Sequence, residues 1–178
     1  MLKLKSFTIS LAREAGALLK KKFSQKHKIH YKGDINIVTE ADKMSEDLII
    51  KSIRRNFPDH GILSEESPAI TGAGKIRWII DPLDGTTNYA HGFPVFCVSI
   101  AAQSHDDVIL GVIYDPMRDE LFSAVRGKGA FLNGKKLAVS SAKDISRSLL
   151  ATGFPYDIRD SRENNLNYFN RMAMNVQA

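Results

Sequence analysis

The sequence lacks the features of a secreted or membrane-spanning chain. No apolar run approaches the roughly 20 residues that a membrane helix needs, and the N-terminal residues 1–5 contain no apolar signal core. Cys97 is the single cysteine, so an intramolecular disulfide is impossible and a reducing cytoplasm is the expected location. Because free cysteines are usually buried, we expect Cys97 to lie in the core.

Nucleic-acid signatures are also lacking, although positive charge is concentrated in one segment. The net charge of +5 is modest, and no zinc-finger or RNA-binding motif accompanies the basic run. The run is made up of Lys20, Lys21, Lys22, Lys26, His27, Lys28, His30 and Lys32. Such a run can bind nucleic acid or acidic lipid. The simpler interpretation, which we favour, is a solvated helix end with favourable cations followed by an exposed connection.

Hydrophobic periodicity predicts helices in the first third of the chain. Apolar residues three and four positions apart indicate an amphipathic helix over 6–23. Thr39–Asp42 has the form of a capping box, so a second helix is predicted from there to about Phe57. Asp42 therefore has a structural explanation as a helix-start acid. Short extended segments are predicted at 29–32, 35–38 and 61–64.

A strand-rich segment follows and sets the fold class. Strands are predicted at 76–80, 95–103, 108–114 and 120–125, with a hairpin turn at Asn133-Gly134. A largely antiparallel meander with preceding helices indicates an α+β fold. We further predict a strand at 149–153 and a helix from about 162 to Ala178. The expected domains are a metal- and phosphate-binding domain over 1–145 and the beginning of a truncated α/β domain over 146–178.

The central stretch, residues 78–88, carries the strongest chemical signal. Asp81 and Asp84 follow an apolar strand, and hard oxygen ligands of this kind suit Mg²⁺. The Leu83 carbonyl could face the same ion, and Gly85 and Thr86 could present amides to a phosphate if a helix starts there. This stretch contains no histidine or cysteine at such spacing, which argues against a zinc site. An acidic turn with an Asx-type cap is the structural alternative, since Asp-Gly is a common turn dipeptide.

The octet Asp81–Asn88 resembles the metal-binding signature of the inositol monophosphatase family. Further matching segments lie at 38–42, 63–67, 93–101, 111–116 and 127–134. The resemblance implies a layered α/β/α/β/α sandwich whose second half is largely missing from this chain. It also implies a lithium-sensitive, Mg²⁺-dependent, homodimeric phosphatase that acts on a small phosphorylated substrate.

The resemblance assigns roles to residues that match the family motifs. Glu65, Asp81 and the Leu83 carbonyl would bind a first Mg²⁺, and Asp81 and Asp84 would share a second. Thr86, hydrogen-bonded to Asp42, would activate a water together with Glu65. The substrate phosphate would contact the segment from Leu83 to Thr86. Glu66 could reach the site through water or be solvated, and Lys32 lies where the family often has a lysine near the metals.

The sequence departs from the family at its C-terminal end, which leaves several interpretations open. It stops before the family's Trp-Asp-x-Ala motif, whose aspartate ligates the second metal, so we expect a fragment, a truncated gene product or half of a split enzyme. The first expected function is hydrolysis of inositol monophosphate or a similar sugar phosphate. The alternatives are the same chemistry on fructose 1,6-bisphosphate, 3′-phosphoadenosine 5′-phosphate or NADP, or an inactive binding or regulatory remnant.

Overall fold

The computed structural model describes residues 1–24, 29–31, 37–155 and 157–177, with backbone alone for 29–31 and 37–39. Most of the basic run beyond residue 24, including Lys32, therefore lies outside the described residues. The chain forms two compact units, Met1–Leu137 and Ala138–Ala178. The domain boundary predicted between residues 145 and 146 falls inside the second unit.

Two helices supply the helical side of the first unit. Helix α1 spans Leu2–Phe23 and helix α2 spans Glu40–Asn56. Helix α1 begins four residues earlier than predicted, because Leu4 also belongs to its buried face. The buried face of α2 contains Ala41, Asp42, Ser45, Glu46, Ile49 and Ile53. Half of that face is polar, which is unusual for a helix packed against a core.

The strands form a short hairpin and a larger sheet. Strands β1 (Ile29–Tyr31) and β2 (Ile37–Thr39) pair antiparallel. The larger sheet has seven described strands in the order β3 to β9, and the β3–β4 pair is parallel while the following pairs are antiparallel. Its strands are β3 (Gly61–Ser64), β4 (Ile76–Asp84), β5 (Cys97–Ser104), β6 (Asp107–Asp115), β7 (Glu120–Val125), β8 (Gly129–Leu132) and β9 (Lys135–Lys136). This topology confirms the predicted α+β meander.

The core of the first unit lies where α1 and α2 pack on the sheet. Trp78 of β4 is fully buried beside Phe7 and Phe57, with ring centroids 5.9 and 5.6 Å away. A short helix, α3 (Thr86–Ala90), joins the same core through Tyr89, whose hydroxyl donates to the Leu19 carbonyl at 2.8 Å. Aromatic packing and this buried hydrogen bond therefore hold α3, which follows the central acidic stretch, against α1.

The second unit differs from its prediction in two respects. No strand forms over 149–153, where Leu149 makes only an isolated bridge with Gln177 and is 80% exposed. A short apolar run becomes a strand only if a neighbouring strand satisfies its backbone, so periodicity alone misled here. Helix α4 spans Leu166–Ala173, so it begins after the predicted residue 162 and ends before the predicted Ala178. The Asn175 side chain donates to the Arg171 carbonyl at 2.7 Å and so satisfies a backbone acceptor of the last turn.

None of the described helices has the length and apolar character needed to cross a membrane.

Candidate functional site

Strand β4 continues past its predicted end at residue 80 and carries both central aspartates. Its register against β5 shifts between Asp81, opposite Ser99, and Asp84, opposite Cys97. Three residues of β4 thus span two of β5, and the resulting bulge accommodates a proline that a regular central strand would exclude. The Ser45 hydroxyl of α2 donates to the Pro82 carbonyl at 2.8 Å and fixes the bulge from the helical side.

Asp81 lies in a crowded acidic environment. Burial, followed by the nearby charges of Glu65 and Asp84, raises the pKa of Asp81 from 3.8 to about 7. The Leu83 amide opposes this effect by donating to Asp81 Oδ1 at 3.2 Å, and Asp81 also shares a side-chain hydrogen bond with Glu65. The structure therefore places Asp81 within electrostatic range of Glu65 and of Asp84, the two other carboxylates that the resemblance assigns to metal binding.

Glu65 reaches this cluster because its segment continues strand β3. The Glu65 amide donates to the Ile80 carbonyl at 3.3 Å, which extends the parallel pairing of β3 with β4 by one residue. The position directly after β3 thus lies beside the position directly before Asp81. In the sequence, Glu65 and Glu66 look like a solvated turn. Strand pairing is what brings Glu65 to the site.

Thr86 and Asp42 are in contact, as the resemblance implies. The Thr86 hydroxyl lies 3.1 Å from Asp42 Oδ1 and 2.9 Å from the Leu83 carbonyl oxygen. The single Thr86 hydroxyl proton is shared between these two acceptors. The Thr86 oxygen therefore keeps its lone pairs for a further hydrogen-bond donor. Asp42 is only 2% exposed and comes from the first turn of α2. Helix α3 begins at Thr86, directly after Gly85 with its φ of 95°, as the Gly-Thr-Thr pattern predicts.

Cys97 is half-buried at the start of β5, so the expectation that it lies in the core is wrong. It occupies the strand position opposite Asp84, and its Sγ lies 3.5 Å from Asp84 Oδ2. Burial and, next, the Asp84 charge raise the pKa of the Cys97 thiol to about 12. The thiol is therefore protonated near neutral pH and acts as a weak donor to the carboxylate.

The available donors fit a hard divalent cation. Within the described part of the chain, no three His, Cys, Asp or Glu side chains form a group that could by itself hold a metal ion. Mg²⁺, however, commonly uses one or two carboxylates and retains several waters. The charges of Glu65 and Asp84 beside Asp81 are the structural indication of such an ion, because a divalent cation would neutralise the repulsion that adds to burial in raising the pKa of Asp81.

Two site residues are missing from the sequence predictions. Ser45 and Glu46 are both buried in α2, and Glu46 accepts hydrogen bonds from Ser67 Oγ at 2.5 Å and from the Glu66 amide at 3.2 Å. They stand three and four positions after Asp42, on the helix face that Ile49 continues. Polar residues within the apolar spacing of α2 are the signal that could have identified them.

Comparison with known proteins places this geometry in context. The model of the inositol monophosphatase family matches residues 1–178. Inositol monophosphatase 1 of Solanum lycopersicum is 44% identical over 148 residues, which cover 81% of this chain and 54% of that protein. Nus factor SuhB of Haemophilus influenzae is 47% identical over 154 residues, covering 85% and 58% respectively. The inositol monophosphatase of Dictyostelium discoideum is 40% identical over 176 residues, covering 96% and 65%.

Solved structures show the same fold. The inositol monophosphatase from Anabaena superposes with a TM-score of 0.88 at 40% identity, covering 99% of this chain and 65% of that one. The extragenic suppressor protein suhB from Bartonella henselae superposes with a TM-score of 0.91 at 34% identity, covering 98% and 68%. The chain thus spans between 54% and 68% of the length of these five proteins.

Proposed function

Because the chain belongs to the inositol monophosphatase family, we propose that it supplies the metal- and phosphate-binding part of a Mg²⁺-dependent phosphomonoesterase. The observation that carries this proposal is the approach of Glu65 and of Asp84 to Asp81 at the end of β4. Burial, followed by the charges of Glu65 and Asp84, raises the pKa of Asp81 to about 7. Carboxylates with perturbed pKa values are typical of functional sites, and phosphate-processing sites need such carboxylates to bind their metals.

Each residue would have a defined role. Glu65, Asp81 and the Leu83 carbonyl would bind one Mg²⁺, and Asp81 and Asp84 would bind a second. Bound Mg²⁺ would neutralise charge on the phosphoryl oxygens and make a water a stronger nucleophile. Because Asp42 accepts the Thr86 hydroxyl proton, the Thr86 oxygen can in turn accept a hydrogen bond from that water.

Proton transfer and phosphate binding would involve neighbouring groups. The Glu65 carboxylate would accept the proton of the attacking water, which makes it the general base. The amides of Gly85 and Thr86 would donate to phosphate oxygens at the start of α3. Both roles are proposals that rest on the positions of these residues beside Asp81 and Asp84.

Inositol monophosphate is the substrate we propose first. The relatives named inositol monophosphatases share 40% to 44% identity with this chain. Fructose 1,6-bisphosphate, 3′-phosphoadenosine 5′-phosphate and NADP are alternative substrates for the same chemistry. The homodimeric state, lithium sensitivity and cytoplasmic location stay predictions from the resemblance and the composition.

We expect the protein to release inorganic phosphate from at least one of these substrates only when Mg²⁺ is present. Chelation should abolish release, and excess Mg²⁺ should restore it. Mg²⁺ should also raise the melting temperature, because a ligand that binds the folded state alone stabilises it, by about 2.7 kcal/mol at one hundred times its dissociation constant. A colorimetric phosphate assay and thermal unfolding measure the two effects. An unaltered melting temperature together with no release from any substrate would refute the proposal.

A second candidate function is binding to RNA, favoured by the positive charge in the last turn of α1. A relative named Nus factor SuhB is 47% identical, and the last turn of α1 presents three adjacent lysines, Lys20, Lys21 and Lys22. If this surface binds RNA, K20A/K21A/K22A should weaken binding and lower the salt dependence of log K by up to about 2. Fluorescence anisotropy at several salt concentrations measures this. The control is K135A/K136A, on β9. Equal RNA binding by this double variant and by the triple variant would refute a role of α1 in RNA binding.

A further inference from the structure

The inward face of α2 contacts three separate segments of the candidate site through polar side chains. Asp42 accepts from Thr86, at the start of α3, with an oxygen–oxygen distance of 3.1 Å. Ser45 donates to the Pro82 carbonyl in the β4 bulge at 2.8 Å. Glu46 contacts the turn that follows β3. Residues i, i+3 and i+4 share one helix face, so a single rigid element holds all three segments.

The burial of Glu46 is costly unless its carboxylate is fully hydrogen-bonded. Glu46 is only 4% exposed, so hydrogen bonds must replace the water that its carboxylate loses. Both oxygens are satisfied: Oε1 accepts from the Glu66 amide at 3.2 Å, and Oε2 accepts from Ser67 Oγ at 2.5 Å. The adjacent Asp47, by contrast, points to solvent with 69% of its side chain exposed and pairs with Lys51. The helix therefore directs one of two neighbouring acids inward, where its partners belong to the turn.

These hydrogen bonds restrain the backbone on both sides of Glu65. Its own amide donates to Ile80 of β4, and the next amide, of Glu66, donates to Glu46. The two peptide groups that flank Glu65 are thus anchored to different elements, a strand and a helix. The direction of the Glu65 side chain toward Asp81 depends on both anchors, since a rotation of either peptide would redirect it.

We propose that Glu46 is a positioning residue, which holds the turn so that Glu65 points to the metal site. This inference rests on the proposed function, because the role of Glu65 as a ligand is part of that proposal. Groups that orient metal ligands typically change metal affinity about 10- to 100-fold when they are removed. Glu46 would act on the metal through the turn that it holds, by accepting from the Glu66 amide and the Ser67 hydroxyl, so its contribution should follow the number of hydrogen bonds it can accept.

The experiment is a titration with Tb³⁺, a hard oxygen-seeking ion, followed by luminescence sensitised by Trp78 and competed with Mg²⁺. Glu46→Leu keeps the volume and removes both acceptors, and it should weaken binding about 10-fold or more. Glu46→Gln keeps one carbonyl oxygen for the Glu66 amide and should restore part of the affinity. Asp47→Asn is the surface control on the same helix. Ile49→Val loosens the same helix without touching the turn, and both controls should bind as the wild type does.

The outcomes separate the inference from the proposed function. A wild-type chain that bound no Tb³⁺ would overturn both. Binding by the wild type with equal affinity in Glu46→Leu, or an equal loss in Ile49→Val, would overturn the positioning role alone. If Glu46→Leu does not fold, Glu46→Gln and Ser67→Ala decide the matter. Ser67→Ala removes one donor from the turn without altering α2, and wild-type affinity in both variants would refute the inference.

Discussion

Asp81→Asn is expected to lower Mg²⁺-dependent phosphate release by about 10³-fold or more. Asp81 is the one carboxylate that both proposed ions would share, and it lies against Glu65 and Asp84. A neutral amide is a poorer ligand for Mg²⁺ than a carboxylate, and a 10³-fold loss corresponds to about 4 kcal/mol of transition-state stabilisation. Phosphate release under saturating substrate and increasing Mg²⁺ is the measurement. Asp47→Asn, an exposed acid-to-amide change, should retain the wild-type rate.

The same substitution should stabilise the metal-free protein above pH 7. The folded state raises the pKa of Asp81 from 3.8 to about 7, so between these values it holds a proton that the unfolded chain releases. Stability of the metal-free wild type therefore falls as pH rises from about 4 to about 7. The full difference would correspond to about 4 kcal/mol, but Asp81 is half-buried and solvent screening reduces the expected effect to about 1–2 kcal/mol.

Urea unfolding in the presence of a chelator at pH 5 and pH 8 tests the direction of this change in stability with pH. The wild type should lose stability between the two values, and Asp81→Asn should lose less because the titrating group is absent. Mg²⁺ should reverse the order at pH 8 by stabilising the wild type and not the variant. Retained phosphate release in Asp81→Asn, or an unchanged pH dependence, would contradict the assignment of Asp81.

Local patterns predicted most of the first unit because its elements have strong periodicity and distinct boundaries. Strands β3 and β7 match their predicted limits, and the Asn133-Gly134 turn joins β8 to β9 as expected. The extension of β4 through Pro82 could not be predicted in this way. A proline ends most strand patterns, and the bulge that accommodates it depends on the register against β5.

Only part of the candidate site can be predicted from the sequence, for a similar reason. Asp81 and Asp84 stand out at the end of an apolar run, and the motif resemblance adds Glu65 and Asp42. Glu46 belongs to neither pattern. Its one sequence signal is a polar residue within the apolar spacing of α2, and its partners come from a turn 20 and 21 residues away. Tertiary contacts of this kind turn an unremarkable helix position into part of a site.

Gly85→Ala should combine a large backbone effect with loss of activity. Gly85 has a φ of 95°, and an added Cβ would lie 2.9 Å from the Val95 carbonyl oxygen and 3.3 Å from Phe96 Cα. A left-handed conformation costs an L-residue about 1–2 kcal/mol, and overpacking adds about 1–3 kcal/mol. Because the contacts are with backbone atoms, they cannot be relieved by a side-chain rotation. We expect a loss of about 2–5 kcal/mol in the free energy of unfolding.

The structural adjustment should also reach the chemistry, because Thr86 follows directly and its hydroxyl lies within 3.1 Å of Asp42. A shift of this kind commonly costs about 10²-fold in rate. Gly92→Ala is the matched control: Gly92 also has a positive φ, 73°, but an added Cβ there meets nothing within 4 Å. Gly92→Ala should lower the free energy of unfolding only by the cost of the left-handed conformation, about 1–2 kcal/mol. It should leave phosphate release unchanged. Equal losses of stability and activity in the two variants would show that the close approach of Val95 does not constrain the site.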